Sequence, residues 1–172
     1  MGMDVYGENP KNEKGEYFRN NVWWWRPLAD FVCSNYEEIA QHCEHWHSND
    51  GDGLDAEKSQ ELGERILVDV ATGMVAEYEK SYNAHLATLE RQKCNLCEGT
   101  GIRTDELGTE HGQPTKELSP EVAILVGRTH GYCNACSGVG TVEDWGMNYP
   151  FNTENVQSFA EFLVNCGGFK IC

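Results

Sequence analysis

Two octets in this chain share one pattern of chemistry-bearing residues. They are Cys94-Asn95-Leu96-Cys97-Glu98-Gly99-Thr100-Gly101 and Cys133-Asn134-Ala135-Cys136-Ser137-Gly138-Val139-Gly140, both reading C-N-x-C-x-G-x-G. A Cys-x-x-Cys step bends the chain so that both sulfurs can face one ion. The glycines two and four residues later permit a tight turn whose amides point at the thiolates. Two such turns supply four sulfurs, the closed tetrahedral set of a structural zinc. The spacing therefore predicts one Zn²⁺ per chain, with Cys94, Cys97, Cys133 and Cys136 as its ligands. A redox dithiol is the alternative for a single Cys-x-x-Cys. Two copies with identical glycine placement argue against it, as does the glycine-rich sequence where a redox site would meet a helix.

Three weaker constellations accompany this one. His42-Cys43-Glu44-His45-Trp46-His47 would place Cys43 and His47 on one helical face, with Cys33 or Asp50 near enough in sequence to join a second metal or an enzymatic site. No fourth ligand emerges, and capping or surface histidines account for the stretch as well. Asp50-Gly51-Asp52-Gly53-Leu54-Asp55 has the look of a calcium loop, but Leu54 and Asp55 stand where an oxygen ligand and a glycine are required. It reads better as the turn that enters a helix. Trp23-Trp24-Trp25-Arg26 could form a stacking platform for a base or a peptide. Read as an extended segment, it points at least one indole away from the core, and a covering helix explains it equally. His85, His111 and His130 have no triad partners in sequence, although His130 lies three residues before Cys133 and could support the metal ligands. No nucleophile elbow, phosphate-binding glycine loop or zincin helix motif occurs.

The elements that must carry these residues are legible from periodicity. Residues 3–6 alternate as a short strand, and Pro27 is expected to stop any strand through the tryptophans. Residues 28–47 step in threes and fours as a helix, with an irregular middle at Ser34-Asn35. Asp55 caps a long helix over about 56–89, in which Leu62, Ile66, Val70, Met74, Tyr78, Tyr82 and Leu86 recur every fourth residue, with a bend at Gly63 or Gly73. Val122–Val126 is an apolar run that Ser119-Pro120 would cap as a short helix; a strand is the alternative. A last helix over 153–165 ends at Gly167-Gly168, and Phe169-Lys170-Ile171 closes as a strand. This is an α+β pattern: one domain over 1–172, its long and C-terminal helices packed with the aromatic N-terminal segment, and a zinc-stapled module inserted at 94–140.

The chain has 172 residues and a formal net charge of −15. Phosphate backbones and anionic membranes repel such a chain, which argues against direct nucleic-acid binding and membrane docking. The acid is concentrated: residues 27–62 hold nine acids against Lys58 alone. An acidic face bearing Glu37, Glu38 and Glu44 would suit a protein partner with a basic surface; an ordinary solvated face is the alternative. The N-terminus lacks a basic and apolar leader, Tyr6 replaces the Ser or Thr of a myristoylation signal, and no apolar run is long enough to span a bilayer. A cytoplasmic location is expected, where cysteines serve as ligands or buried thiols more often than as disulfides.

The two octets resemble the cysteine-rich repeats of DnaJ-type chaperones, C-x-x-C-x-G-x-G. Those carry four repeats and two zincs, so two repeats here imply one zinc. The resemblance covers about residues 94–140, and the His-Pro-Asp signature of a J-domain is absent, so cochaperone activity does not carry over. The opening Met1-Gly2-Met3-Asp4-Val5-Tyr6-Gly7, with Gly15-Glu16-Tyr17-Phe18-Arg19-Asn20-Asn21-Val22-Trp23-Trp24-Trp25-Arg26-Pro27, resembles a family of small uncharacterised proteins of bacteria and their phages. That resemblance supplies a setting without a mechanism. The functional expectation is a zinc-containing, non-enzymatic interaction or regulatory protein. The alternatives are an acidic inhibitor that mimics nucleic acid in a basic groove of its target, and an enzyme built on His42–His47.

Overall fold

A computed structural model describes residues 2–103, 106 and 133–172. The expected element at Val122–Val126, its Ser119-Pro120 cap, His111 and His130 lie outside the described residues. The chain divides into two compact units, Met1–Thr88 with Asn148–Cys172, and Leu89–Met147. The fold is α+β. No helix among the described residues is long and apolar enough to cross a membrane.

The first unit is built on a three-stranded antiparallel sheet in the order β2-β1-β5, from β1 (Gly2–Gly7), β2 (Tyr17–Asn21) and β5 (Phe169–Ile171). Alternation decides its faces. Met3, Val5, Phe169 and Ile171 are buried, while Tyr6 and Lys170 are exposed and Asp4 is partly so. In register, Tyr6 faces Tyr17 and Asp4 faces Arg19 on the outer surface. The inner face meets α5 (Thr153–Cys166), whose Phe159 and Phe162 rings contact Phe18 and Phe169.

The aromatic N-terminal segment corrects the sequence expectation. Trp23, Trp24 and Trp25 belong to α1 (Val22–Asn35), not to an extended segment. Asn21 caps it by accepting from the amides of Trp23 and Trp24 at 3.0 and 3.1 Å. Pro27 lies inside this helix and is buried. Its fixed φ is helical, so near the helix start it removes one backbone bond without ending the element. The helix expected over 28–47 breaks at its irregular middle, α1 ending at Asn35, and only a short α2 (Glu37–Ala40) follows. Beyond it the chain folds back so that Trp46 enters the core, where its ring stacks with Trp25 at 6.4 Å. Both indole N–H groups are satisfied by backbone, Trp25 on the Trp46 carbonyl at 2.6 Å and Trp46 on the Ala40 carbonyl at 3.0 Å.

The expected long helix is two helices, α3 (Ala56–Thr72) and α4 (Met74–Leu86). Gly73, at φ 84°, breaks them apart in a left-handed conformation. Gly63 has a different task. A Cβ there would lie 2.7 Å from Val164 Cγ1 and 2.9 Å from Leu163 Cβ, so its bare backbone lets α3 press against α5. On the other side, Glu79 of α4 accepts from the Thr153 amide and hydroxyl at 2.8 and 2.7 Å, fixing the start of α5.

Candidate metal centre

The second unit is held by a short antiparallel pair, β3 (Gln92–Lys93) with β4 (Thr141–Val142). Arg91 ties the two ends, donating from Nε to Thr141 Oγ1 at 3.0 Å and from Nη2 to the Thr141 carbonyl at 2.9 Å. β3 leads directly into the first octet, and the second octet leads into β4.

The octets fold alike. In each, residues five, six and eight have positive φ: Glu98 at 51°, Gly99 at 83° and Gly101 at 75°, then Ser137 at 50°, Gly138 at 78° and Gly140 at 85°. In each, the last glycine donates its amide to the second cysteine's sulfur, Gly101 to Cys97 Sγ at 3.3 Å and Gly140 to Cys136 Sγ at 3.2 Å. The octets then lock reciprocally. The Cys94 amide donates to the Gly140 carbonyl at 2.9 Å, and the Cys133 amide to the Gly101 carbonyl at 2.8 Å. A Cβ on Gly101 would fall 2.3 Å from the Gly138 carbonyl oxygen, and one on Gly140 2.4 Å from that of Gly99. The two octets are thus related by a local pseudo-two-fold, and these glycines are fixed by close backbone approach as well as by φ.

Between them lie four buried sulfurs within 4.8 Å of one another. Cys94 and Cys133 are 3.6 Å apart at Sγ, and Cys97 and Cys136 are 3.7 Å apart. A tetrahedron with metal–sulfur arms of about 2.3 Å has edges of about 3.8 Å, so the donor set fits a tetrahedral ion. Burial raises both Cys94 and Cys133. The amides of Cys97 and Leu96 and the Cys133 thiol outweigh it at Cys94, which falls to about 7, while Cys133 is pushed up to about 12. A cation bound to these sulfurs would displace their protons. Among the described residues, Val142 packs against these four cysteines.

Sequence reasoning missed three supports. Glu98 and Ser137 adopt the left-handed conformation without being glycine, at a cost on the order of 1 kcal/mol each. Lys93 lays its aliphatic stem over Gly99, within 3.2 Å of where a Cβ would stand. The repeat itself was the available signal for the first of these, since the fifth position of each octet must turn the same way.

The weaker candidates are dispersed. Among the described residues no other group of three or more His, Cys, Asp or Glu side chains converges on one point. His47 Nε2 pairs with Asp30 at 3.1 Å, and Cys43 is buried, its thiol pushed up to about 12 by burial and the neighbouring Asp52. Burial likewise raises Cys33. Asp52 is a loop anchor: its carboxylate accepts from the amides of Glu44, His45 and Gly53 at 2.6, 2.9 and 2.8 Å. The rest of that turn runs along β5, with Gly51 donating to the Ile171 carbonyl and Ile171 to the Asp52 carbonyl, both at 2.8 Å. Asp55 caps α3 at 2.8 Å. The helix also parts the tryptophans: Trp25 is buried, Trp23 meets the Tyr149 ring at 5.1 Å, Trp24 is half-buried, and Arg26 is exposed. They form no continuous stacking platform. The acids singled out, Glu37, Glu38 and Glu44, are all exposed, and Glu38 is also paired with Arg65, which holds Glu61 at 2.7 Å.

Compared with known protein families, characterised proteins and solved structures, the chain matches none.

Proposed function

We propose that this chain is a zinc-containing, non-enzymatic interaction or regulatory protein, in which one Zn²⁺ held by Cys94, Cys97, Cys133 and Cys136 organises the second unit. The observation that carries the reading is the set of four buried sulfurs, gathered by two octets whose glycine amides donate to the outer thiolates. A zinc ion there supplies folding energy; four protein ligands leave no position for substrate or water. The residues themselves do the remaining work: two amides temper the charge on Cys97 and Cys136, and the reciprocal backbone bonds fix the sulfur spacing. The DnaJ-like repeat pattern is consistent with this use of a four-cysteine site. Elemental analysis of protein purified without added metal tests the reading, with one zinc per chain expected; less than a tenth of that, with all four thiols freely alkylated, overturns it.

The partner we propose is a protein with a basic surface, on the ground of the charge concentrated in residues 27–62. Asp30, Glu38, Asp52, Asp55 and Glu61 each hold a partner within the fold. Glu37, Glu38 and Glu44 are all exposed, and of the three only Glu38 is held in an ion pair, with Arg65. This favours a local acidic contact over an extended mimic of nucleic acid, which remains the second reading. Capture from host lysate at low and high salt, with Glu37→Lys/Glu44→Lys beside the wild type, is the test. Salt-sensitive capture lost in the variant supports the reading, and capture indifferent to both salt and variant overturns it.

A further inference from the structure

We infer that the cleft between the C-terminal end of α1 and one face of α3 receives an arginine side chain of the partner protein. The inference rests on the reading of a basic-surfaced partner above and deepens it, because it names where one residue of that partner docks and what holds it.

The cleft has a volume of about 410 Å³ and is lined by Asn35, Tyr36, Glu64, Arg65, Val68 and Asp69. The four residues from α3 are spaced i, i+1, i+4 and i+5, which puts them on one side of that helix. Tyr36 is buried, and its hydroxyl donates to Asp69 Oδ2 at 2.7 Å. That bond fixes the carboxylate and occupies one of its oxygens. Among the described residues no donor reaches the other oxygen, Oδ1. Asn35 spends its side-chain amide on the Phe31 carbonyl at 2.8 Å, which leaves its Oδ1 as a second acceptor. Asn35 is also the last residue of α1, a helix of 14 residues with no basic residue in its last turn. The terminal carbonyls there carry the negative end of the helix dipole, with no cation of their own helix to offset it.

The charge around the cleft has one sign. Arg65 is the cation of the lining, and its Nη1 and Nη2 groups are already taken by Glu38 and Glu61. Glu64 accepts from the Gln60 side-chain amide and keeps its charge. Four carboxylates, on Glu38, Glu61, Glu64 and Asp69, therefore stand about a single guanidinium. A bare metal ion does not match this arrangement, because these carboxylates do not converge on one point. Val68, 59% exposed, adds an apolar wall that suits a cation carried on an aliphatic stem. Arginine suits the acceptors better than lysine. Its planar fork has five donors, enough for Asp69 Oδ1, Asn35 Oδ1 and a terminal carbonyl of α1 together, and it is more weakly hydrated than an ammonium. The volume falls within the roughly 300–1,000 Å³ of ordinary ligand pockets, ample for one side chain.

The test is a titration of the isotopically labelled full chain at low salt with the peptide acetyl-Gly-Ala-Arg-Ala-Gly-amide, followed by backbone amide chemical shifts. The same peptide with citrulline for arginine keeps the shape and loses the charge. Saturable shifts at Tyr36, Val68 and Asp69 are expected with the arginine peptide. Binding should be at least fivefold weaker for the citrulline peptide, and at least fivefold weaker for Asp69→Asn, whose amide oxygen can still accept from Tyr36. Val68→Arg is measured beside it, because that exposed position tolerates change and a guanidinium there would fill the cleft; it should abolish the shifts. Equal binding of the two peptides, or shifts that persist in both variants, overturns the inference. Shifts confined to Glu37 and Glu44 overturn it while supporting the acidic contact on which it rests. No shift anywhere overturns it too, and the basic-partner reading is then decided separately by capture with Glu37→Lys/Glu44→Lys, substitutions outside the cleft lining.

Discussion

Cys133 donates its backbone amide to the carbonyl of Gly101 at 2.8 Å, and Cys94 makes the same bond to Gly140 at 2.9 Å. Each octet is thereby closed by the other. Neither can be fully formed alone, and a metal bound between them would be bound to both.

Gly101→Ala and Gly140→Ala should be damaging to a similar degree. Each substitution adds a Cβ within 2.4 Å of a carbonyl oxygen in the opposite octet, at a positive φ. Gly51→Ala is the control: its φ is 79°, but nothing lies within 4 Å of the added atom. It should cost about 1 kcal/mol from backbone strain alone. Competition with a zinc-binding dye should show at least tenfold weaker metal retention for the two octet variants and an unchanged value for Gly51→Ala.

Cys133→Ser should release the metal and loosen the second unit before the first. Among the described residues, the second unit's buried cluster is the four cysteines with Val142 against them, whereas the first unit buries Trp25, Phe159, Phe162 and Phe169. Hydrogen exchange with and without a chelator measures this. Protection should fall over 92–101 and 133–142 while α5 keeps its protection. Simultaneous loss in both units would show that they fold as one.

Gly63→Ala should destabilise the first unit despite the better helix propensity of alanine. The propensity gain is about 1 kcal/mol. Against it stand contacts of 2.7 Å to Val164 Cγ1, 2.9 Å to Leu163 Cβ and 3.0 Å to the Ala160 carbonyl oxygen, and overpacking of this kind costs about 1–3 kcal/mol. Gly73→Ala, with no atom near the added Cβ, should cost about 1 kcal/mol through its φ alone. Urea unfolding followed by tryptophan fluorescence separates the two.

Stability should fall on acidification, partly through Asp52. Burial acts to raise this carboxyl, but the His45, Gly53 and Glu44 amides outweigh it and hold the group below its ordinary value. A depressed carboxyl contributes stability above its unfolded pKa of about 3.9 and loses it as pH falls through the folded value. Unfolding free energies measured between pH 6 and pH 2.5 should therefore decline. Asp52→Asn, which keeps a neutral acceptor, should be less stable at pH 6 and should show a smaller decline. An identical decline in both proteins would remove Asp52 from the account.

The metal-ligand pattern was legible in the sequence because it is local and repeated. Two cysteines and two glycines at fixed spacing specify the same turn twice, and four sulfurs of one chemistry narrow what such turns can hold. The first strand, the C-terminal helix and the closing strand were equally readable, since each carries its own period and its own terminator. The break at Gly73 was visible as one of two candidates, but the choice between Gly63 and Gly73 was not. Both are glycines in a helical pattern; only the approach of Val164 and Leu163 assigns Gly63 to close packing and leaves the left-handed turn to Gly73. The tryptophan segment failed as a local reading for a related reason. Three adjacent indoles suit a strand as well as a helix, and it took the Asn21 cap, the helix-compatible φ of Pro27 and the burial of Trp25 against Trp46 to decide between them. The acids of 27–62 read as one charged face because sequence counts charges without their partners. Tertiary structure gives Asp30, Glu38, Asp52, Asp55 and Glu61 partners in His47, Arg65, the amides beside Asp52 and the first turn of α3, and leaves Glu37 and Glu44 exposed. Sequence thus fixed the chemistry that short-range geometry controls, and the fold decided every assignment that depended on a residue arriving from elsewhere in the chain.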